Sequence, residues 1–175
     1  MPKISFQQLP DDARLWVFGA ARALTAPEQA ELLHAADRFL ETWAAHGSPL
    51  TCARELSEGR FLMVGVDEAS VPPSGCSIDA LVNVLGALEE KLAVPLVGNG
   101  AVFYRTPSGE VSRVDRAAFR RLAGQGSVTP ETAVFDTTLI RVGRLRDGGW
   151  ERPARETWHG PAFFRTAARG ESPPS

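Results

Sequence analysis

The first hundred residues alternate short apolar runs with longer stretches in which apolar side chains recur every three or four positions. Four consecutive apolar residues at 15–18 predict a buried strand. Thr25 and Glu28 have the spacing of a capping box, and the apolar stripe that follows them up to Trp43 predicts a first helix. This helix is expected to end near His46.

Two further runs of strand-favouring residues, 50–56 and 60–66, are separated by a Ser-Glu-Gly turn and predict a hairpin. The second arm is apolar on both faces, which predicts a strand buried on both faces. After the break at Pro72 and Pro73, a new apolar stripe predicts a second helix. The stripe consists of Ile78, Leu81, Val82, Leu85, Leu88 and Leu92.

A fourth strand at 101–105 would pair with this core and complete the order βαββαβ. The predicted fold class is therefore α+β, with a ferredoxin-like βαββαβ core over residues 1–98. Residues 99–165 are expected to form a small α+β appendage, and the polar stretch 166–175 a disordered tail.

Local signals within the appendage predict its elements. Asp115 can cap a helix that runs through Leu122. Strand-like residues follow at 132–135 and at 139–142.

Composition places the chain among ordinary globular proteins, with 43% hydrophobic and 23% charged residues in a length of 175. No apolar run approaches the roughly 20 residues needed to cross a bilayer, and the first residues lack the layout of a secretion signal. We therefore expect a cytoplasmic protein with no membrane partner. Its two cysteines, Cys52 and Cys76, are too few for a disulfide scaffold and are expected to be free thiols.

Charge is distributed unevenly along the chain, although the net charge is only −2. Residues 1–100 carry 7 basic and 13 acidic side chains, whereas residues 101–175 carry 12 arginines and 8 acidic side chains. Arginine is well suited to bind carboxylate or phosphate. However, the cluster of Arg113, Arg116, Arg120 and Arg121 is interleaved with acids, which favours a solvated face and argues against nucleic acid as a partner.

The stretch from Ser74 to Asp79 suggests a reactive thiol, because it places Cys76 at the start of the second helix. A helix N-terminus offers unpaired N–H groups and partial positive charge, which stabilise a thiolate. The expected strand order brings His46 to the same edge of the domain. Cys76 would then be a nucleophile and His46 its acid–base partner, with Asp79 or Asp67 orienting the imidazole.

Two other interpretations of this stretch remain open. Ser74, Gly75 and Ser77 could bind a small anionic ligand through backbone N–H and hydroxyl groups. Alternatively, the serines only cap the helix and the thiol is buried. A CxxxxxR phosphatase loop is excluded, because the sixth position after Cys76 is Val82.

A metal site would require His46, Cys76, His159 and a carboxylate to converge, and their spacing matches no zinc-finger, knuckle or HExxH pattern. We therefore predict neither a metal nor a cofactor. Trp158 and His159 lie among prolines and glycines, so they could form a loop that folds over the thiol site as a lid.

A non-catalytic role is the alternative to a thiol site. The appendage carries Tyr104, Phe135 and Trp150, which could bind a peptide or protein partner in an aromatic groove. The location of the clefts in the structure would bear on these two roles.

Four segments resemble a family of short bacterial proteins that are often labelled as ABC transporter ATPases. The segments are 13–17, Trp43 with 46–50, 74–79 and 157–159. The label implies nucleotide hydrolysis, but the chain has no GxxxxGK[ST] loop to hold phosphates. Separately, Tyr104, Gly109, Leu122, residues 126–134, Trp150 and Pro153 resemble a bacterial GYF-type domain, which implies binding of proline-rich peptides.

Overall fold

The computed structural model describes residues 4–69, 71–96 and 100–164. Within these residues no helix is both long and apolar enough to cross a membrane. The strands are β1 (Arg14–Gly19), β2 (Ala44–Ala45), β3 (Ser48–Pro49), β4 (Thr51–Ser57), β5 (Phe61–Asp67), β6 (Ala101–Arg105), β7 (Val111–Asp115), β8 (Ala133–Phe135) and β9 (Glu151–Pro153). The helices are α1 (Ala26–Thr42), α2 (Gly75–Leu92), α3 (Arg116–Gly124), α4 (Val142–Arg144) and α5 (His159–Phe163).

The chain folds as an α+β protein with two compact units. The first unit comprises the described residues of Met1–Gly100 together with Asp136–Trp150, and the second comprises those of Ala101–Phe135 and Glu151–Ser175. The sequence placed the boundary between the core and the appendage at residues 98 and 99. It gave no sign that 136–150 would belong to the first unit. The expected disordered tail, 166–175, lies outside the described residues.

The sheet of the first unit has the order β1-β5-β4, and both pairings are antiparallel. Every residue of β5 from Phe61 to Val66 is buried, which confirms the prediction of a strand buried on both faces. Leu62, Val64 and Val66 lie in the core that α1 and α2 form. The opposite face is covered at Gly65 by Leu9 and Val142, because these side chains approach the strand backbone closely.

The complete ferredoxin-like topology is not evident from the sheet orders. The first three long strands have the order expected for that fold, but the strand at 101–105 does not pair with β1. It forms β6, whose two edges are already taken by β7 and β8 in the sheet of the second unit. The free edge of β1 instead binds 140–142, through Leu15 N–H to Ile140 O and Val142 N–H to Ala13 O, both 3.1 Å.

The second unit contains a four-stranded antiparallel sheet of order β7-β6-β8-β9. Its core includes Val102, Phe119, Val128 and Val134. Asp115 caps α3 as predicted, because its carboxylate accepts a hydrogen bond of 2.6 Å from Ala118 N–H. The prediction of a strand at 139–142 is wrong, because only a single bridge from Arg141 to Arg14 forms before α4 begins.

Candidate thiol site

The start of α2 is fixed by a reciprocal pair of serines. Ser74 is the N-cap, and its hydroxyl accepts a hydrogen bond of 3.2 Å from Ser77 N–H. The Ser77 hydroxyl in turn accepts one from Ser74 N–H and donates one to Ser74 O, both 2.8 Å. This is a capping box in which serine replaces the usual Glu or Gln. Because Ser77 is buried and its hydroxyl is used for capping, it is a poor candidate for anion binding.

Cys76 is the second residue of α2 and is exposed, whereas Cys52 is buried. Cys52 donates its S–H to Leu40 O at 3.6 Å and lies in the core of the first unit. The backbone N–H groups of Gly75 and Cys76 have no acceptor among the described residues. An accessible thiol therefore lies where unpaired N–H groups and the helix dipole favour negative charge.

His46 occupies a different local structure from the one expected. Helix α1 ends at Thr42, and β2 and β3 then form a small hairpin whose turn is His46-Gly47. Both turn residues have positive φ, 51° and 78°, as a type I′ turn requires. The prediction that α1 extends to His46 is therefore corrected, and the imidazole is exposed on the tip of the turn.

His46 and Cys76 line the same open cleft of about 320 Å³. The base of the hairpin is attached to α2 by a buried hydrogen bond of 2.8 Å from Trp43 Nε1 to Ser77 O. No hydrogen bond joins the imidazole and the thiol. The other lining residues are Phe39, Thr42, Trp43, Ala44, Ser74, Ser77 and Ala80.

Neither predicted acid lines this cleft. Asp79 is exposed on α2, and Asp67 at the end of β5 accepts a hydrogen bond of 2.9 Å from Ala69 N–H. The structure therefore brings together the thiol and the imidazole of the expected set, but it places the carboxylates outside the cleft. A Cys–His pair without a nearby acid lacks the group that would orient the ring.

Trp158 and His159 belong to the aromatic core of the second unit. His159 is only 1% exposed, its Nδ1 lies 2.8 Å from Thr157 Oγ1, and its ring stacks on Trp158 with centroids 3.8 Å apart. Phe119 and Phe163 complete the surroundings. These contacts give the pair a packing role within its own unit.

A metal centre finds no support in the donor set. Within residues 4–69, 71–96 and 100–164, no three His, Cys, Asp or Glu side chains lie close enough together to hold an ion.

The three aromatic residues of the alternative groove are separated. Tyr104 lines a cleft of about 250 Å³ in the second unit, while Phe135 is buried beneath the Arg105 guanidinium. Trp150 packs edge-on against Phe61 in the first unit, with centroids 4.9 Å apart. A larger cleft, about 770 Å³, lies elsewhere in the first unit between the turn Phe6–Gln8 and the side chains of Leu33 and Arg54.

Comparison with protein-family models, curated proteins and solved structures gives no match. The two resemblances described above therefore stay predictions. The hairpin that carries His46 was not predicted, because His-Gly is not among the pairs, such as Asn-Gly and Gly-Gly, that signal a type I′ turn; the glycine at its second position is the one local sign. The larger cleft was not predicted either, since it is formed by segments far apart in the chain.

Proposed function

We propose that the cleft between the His46 turn and the start of α2 is a thiol site, in which Cys76 reacts with or binds a small anionic molecule. The observation that supports it is the shared cleft: the accessible one of the two cysteines lines it together with an imidazole. A cleft of about 320 Å³ suits a small ligand.

The proposed chemistry divides three tasks among the residues of the cleft. The Cys76 sulfur is the nucleophile, and the helix dipole stabilises its thiolate. The free N–H groups of Gly75 and Cys76 bind an anionic group of the ligand. The His46 imidazole accepts the thiol proton across the cleft and returns it to the leaving group.

Alkylation rates test this proposal. We expect Cys76, in a Cys52→Ser background at pH 7, to react with iodoacetamide about tenfold faster than a free cysteine peptide. The thiolate displaces iodide and forms a thioether. Iodoacetate carries a carboxylate, so N–H binding predicts that the protein favours it over iodoacetamide more strongly than the peptide does.

His46→Asn removes the imidazole without disturbing the hairpin, because Asn-Gly is a preferred pair for a type I′ turn. We expect this variant to react about threefold more slowly than the parent. His34→Asn is the matched control, since His34 is exposed on α1 and does not line the cleft. A parent rate equal to that of the peptide would refute thiol activation, and an unchanged rate in His46→Asn would remove His46 from the site.

A further inference from the structure

Three arginines of the second unit, Arg116, Arg120 and Arg121, lie on α3 and are called here the arginine surface. Arg113 lies on β7 beside Phe103, on the sheet face away from α3, because the neighbouring pair Val102 and Val114 packs with Phe119. The remaining arginines described in this unit are paired with carboxylates. Arg105 pairs with Glu151, Arg152 with Glu156, and Arg155 with Glu131 and Glu156. Three of the acids that could neutralise the unit are therefore used elsewhere.

No member of the arginine surface has an ion pair or hydrogen bond through its guanidinium in the described part of the chain. Asp115, next to it in sequence, caps α3, and neither Asp115 nor Glu110 forms an ion pair with an arginine within the described ranges. Charges that are interleaved along the sequence of this segment therefore do not form ion pairs with one another among the described residues.

Two of these guanidinium groups are held in place by aromatic rings. The Arg116 guanidinium carbon lies 4.8 Å from the centroid of Trp158, and that of Arg120 lies 5.6 Å from the centroid of Phe163. Both arginines are exposed, and they lie one helical turn apart on α3. Stacking restricts each side chain while its N–H edge stays in water, so less entropy is lost when an anion binds.

We propose that the arginine surface binds an acidic peptide segment, a run of Asp and Glu side chains on a partner protein. Each planar guanidinium can bind a carboxylate through two parallel hydrogen bonds, and none of those on this surface is paired with a carboxylate of the described residues. This proposal does not depend on the thiol site, which lies in the first unit.

The chemistry of the surroundings favours an acidic peptide over other polyanions. Guanidinium groups lie over the rings of Trp158 and Phe163, so these ring faces are not open for nucleic-acid bases to stack on. A membrane surface would require apolar anchors, but the one large apolar side chain found exposed among the described residues is Ile140, in the first unit.

Fluorescence anisotropy with a labelled deca-glutamate peptide tests the proposal on the full chain. We expect binding that weakens with added NaCl, and a loss of affinity of about tenfold in the double variant Arg116→Gln, Arg120→Gln. The matched control, Arg38→Gln with Arg144→Gln in the first unit, removes two other exposed arginines that have no carboxylate partner within the described ranges, and it should retain the affinity. Both double variants remove two positive charges, so they change the net charge equally.

A second variant guards against loss of folding, because Arg116 and Arg120 contact the aromatic core. Arg121→Gln alters an arginine of the same helix that stacks on no ring of the described residues, and about a twofold loss is expected. Absence of peptide binding, equal loss in the first-unit control, or tighter binding of deca-thymidylate or phosphatidylserine vesicles at the same salt would each overturn the proposal.

Discussion

Gly65 shows how a single residue sets the structure of the first unit. It lies in the middle of β5, and an added Cβ would be 2.3 Å from Leu9 Cδ1 and 3.5 Å from Phe6 Cε2. The requirement for glycine is therefore spatial, because the N-terminal segment packs directly on the strand backbone. No periodicity in the sequence reveals this contact.

Substitution of this glycine tests the close approach. We expect Gly65→Ala to lower the free energy of unfolding by about 1–3 kcal/mol, because the methyl group forces Leu9 out of its position. The Cβ added by Gly86→Ala in α2 meets no atom within 4 Å, so this substitution should raise the free energy of unfolding by about 0.5–1 kcal/mol. Urea unfolding of both variants measures these changes in the free energy of unfolding. An equal effect of the two substitutions would contradict the packing argument.

Helix α1 illustrates how an element is defined by local chemistry. Thr25 and Glu28 form its capping box, and Glu28 accepts a hydrogen bond of 2.8 Å from Thr25 N–H. Arg22 adds two hydrogen bonds of 2.8 Å to the same carboxylate. These bonds, the one from Arg22 first, lower the pKa of Glu28 from 4.5 to about 2.

The lowered pKa of Glu28 has a consequence for acid stability. The folded protein binds the proton less readily than the unfolded chain does, so Glu28 stabilises the fold above pH 4.5 and this contribution is lost as the pH falls toward 2. We expect Glu28→Gln to have a lower melting temperature at pH 7 and a smaller decrease between pH 4.5 and 2 than the parent protein.

Thermal unfolding followed by circular dichroism at several pH values checks this expectation. Glu90→Gln is the control, because Glu90 is exposed on α2 and has no ion pair within the described ranges. If the melting temperatures of the parent and Glu28→Gln fell in parallel between pH 4.5 and 2, the Glu28 carboxylate would not contribute to acid stability.

At the scale of the whole molecule, the return of Asp136–Trp150 to the first unit is the main feature. Val142 covers Gly65, and Trp150 packs on Phe61. Arg141 pairs with Glu68 at 2.6 Å, and Arg146 pairs with Asp11 at 2.6 Å. A segment distant in sequence therefore buries one face of the sheet that the first hundred residues form.

This arrangement predicts that the boundary drawn from sequence does not give an autonomous domain. We expect the fragment 1–98 to lack a cooperative urea transition and to bind a hydrophobic dye, because the face around Phe61 is left exposed. Trp150→Ala in the full chain removes only one of the covering side chains and should retain cooperativity with a lower midpoint. A fragment that unfolds cooperatively at the midpoint of the full chain would disprove this role of 136–150.

The sequence by itself determined most of the local elements. The capping box, the helical stripes and the strand at 101–105 were predicted correctly, because each depends on residues within one or two turns or on a single apolar run. The helix-start position of Cys76 was visible for the same reason. Its exposure, and the burial of Cys52, were not, since burial depends on what packs against each residue.

Only the tertiary structure decided how the elements combine. Strand β6 could have paired with β1, but it lies between β7 and β8, and 140–142 takes the edge of β1 instead. The cleft that joins His46 to Cys76 likewise depends on a hairpin and on the bond from Trp43 to Ser77. A strand's own pattern shows which faces are apolar but carries little information about its partner, because pairing free energy comes from distant neighbours.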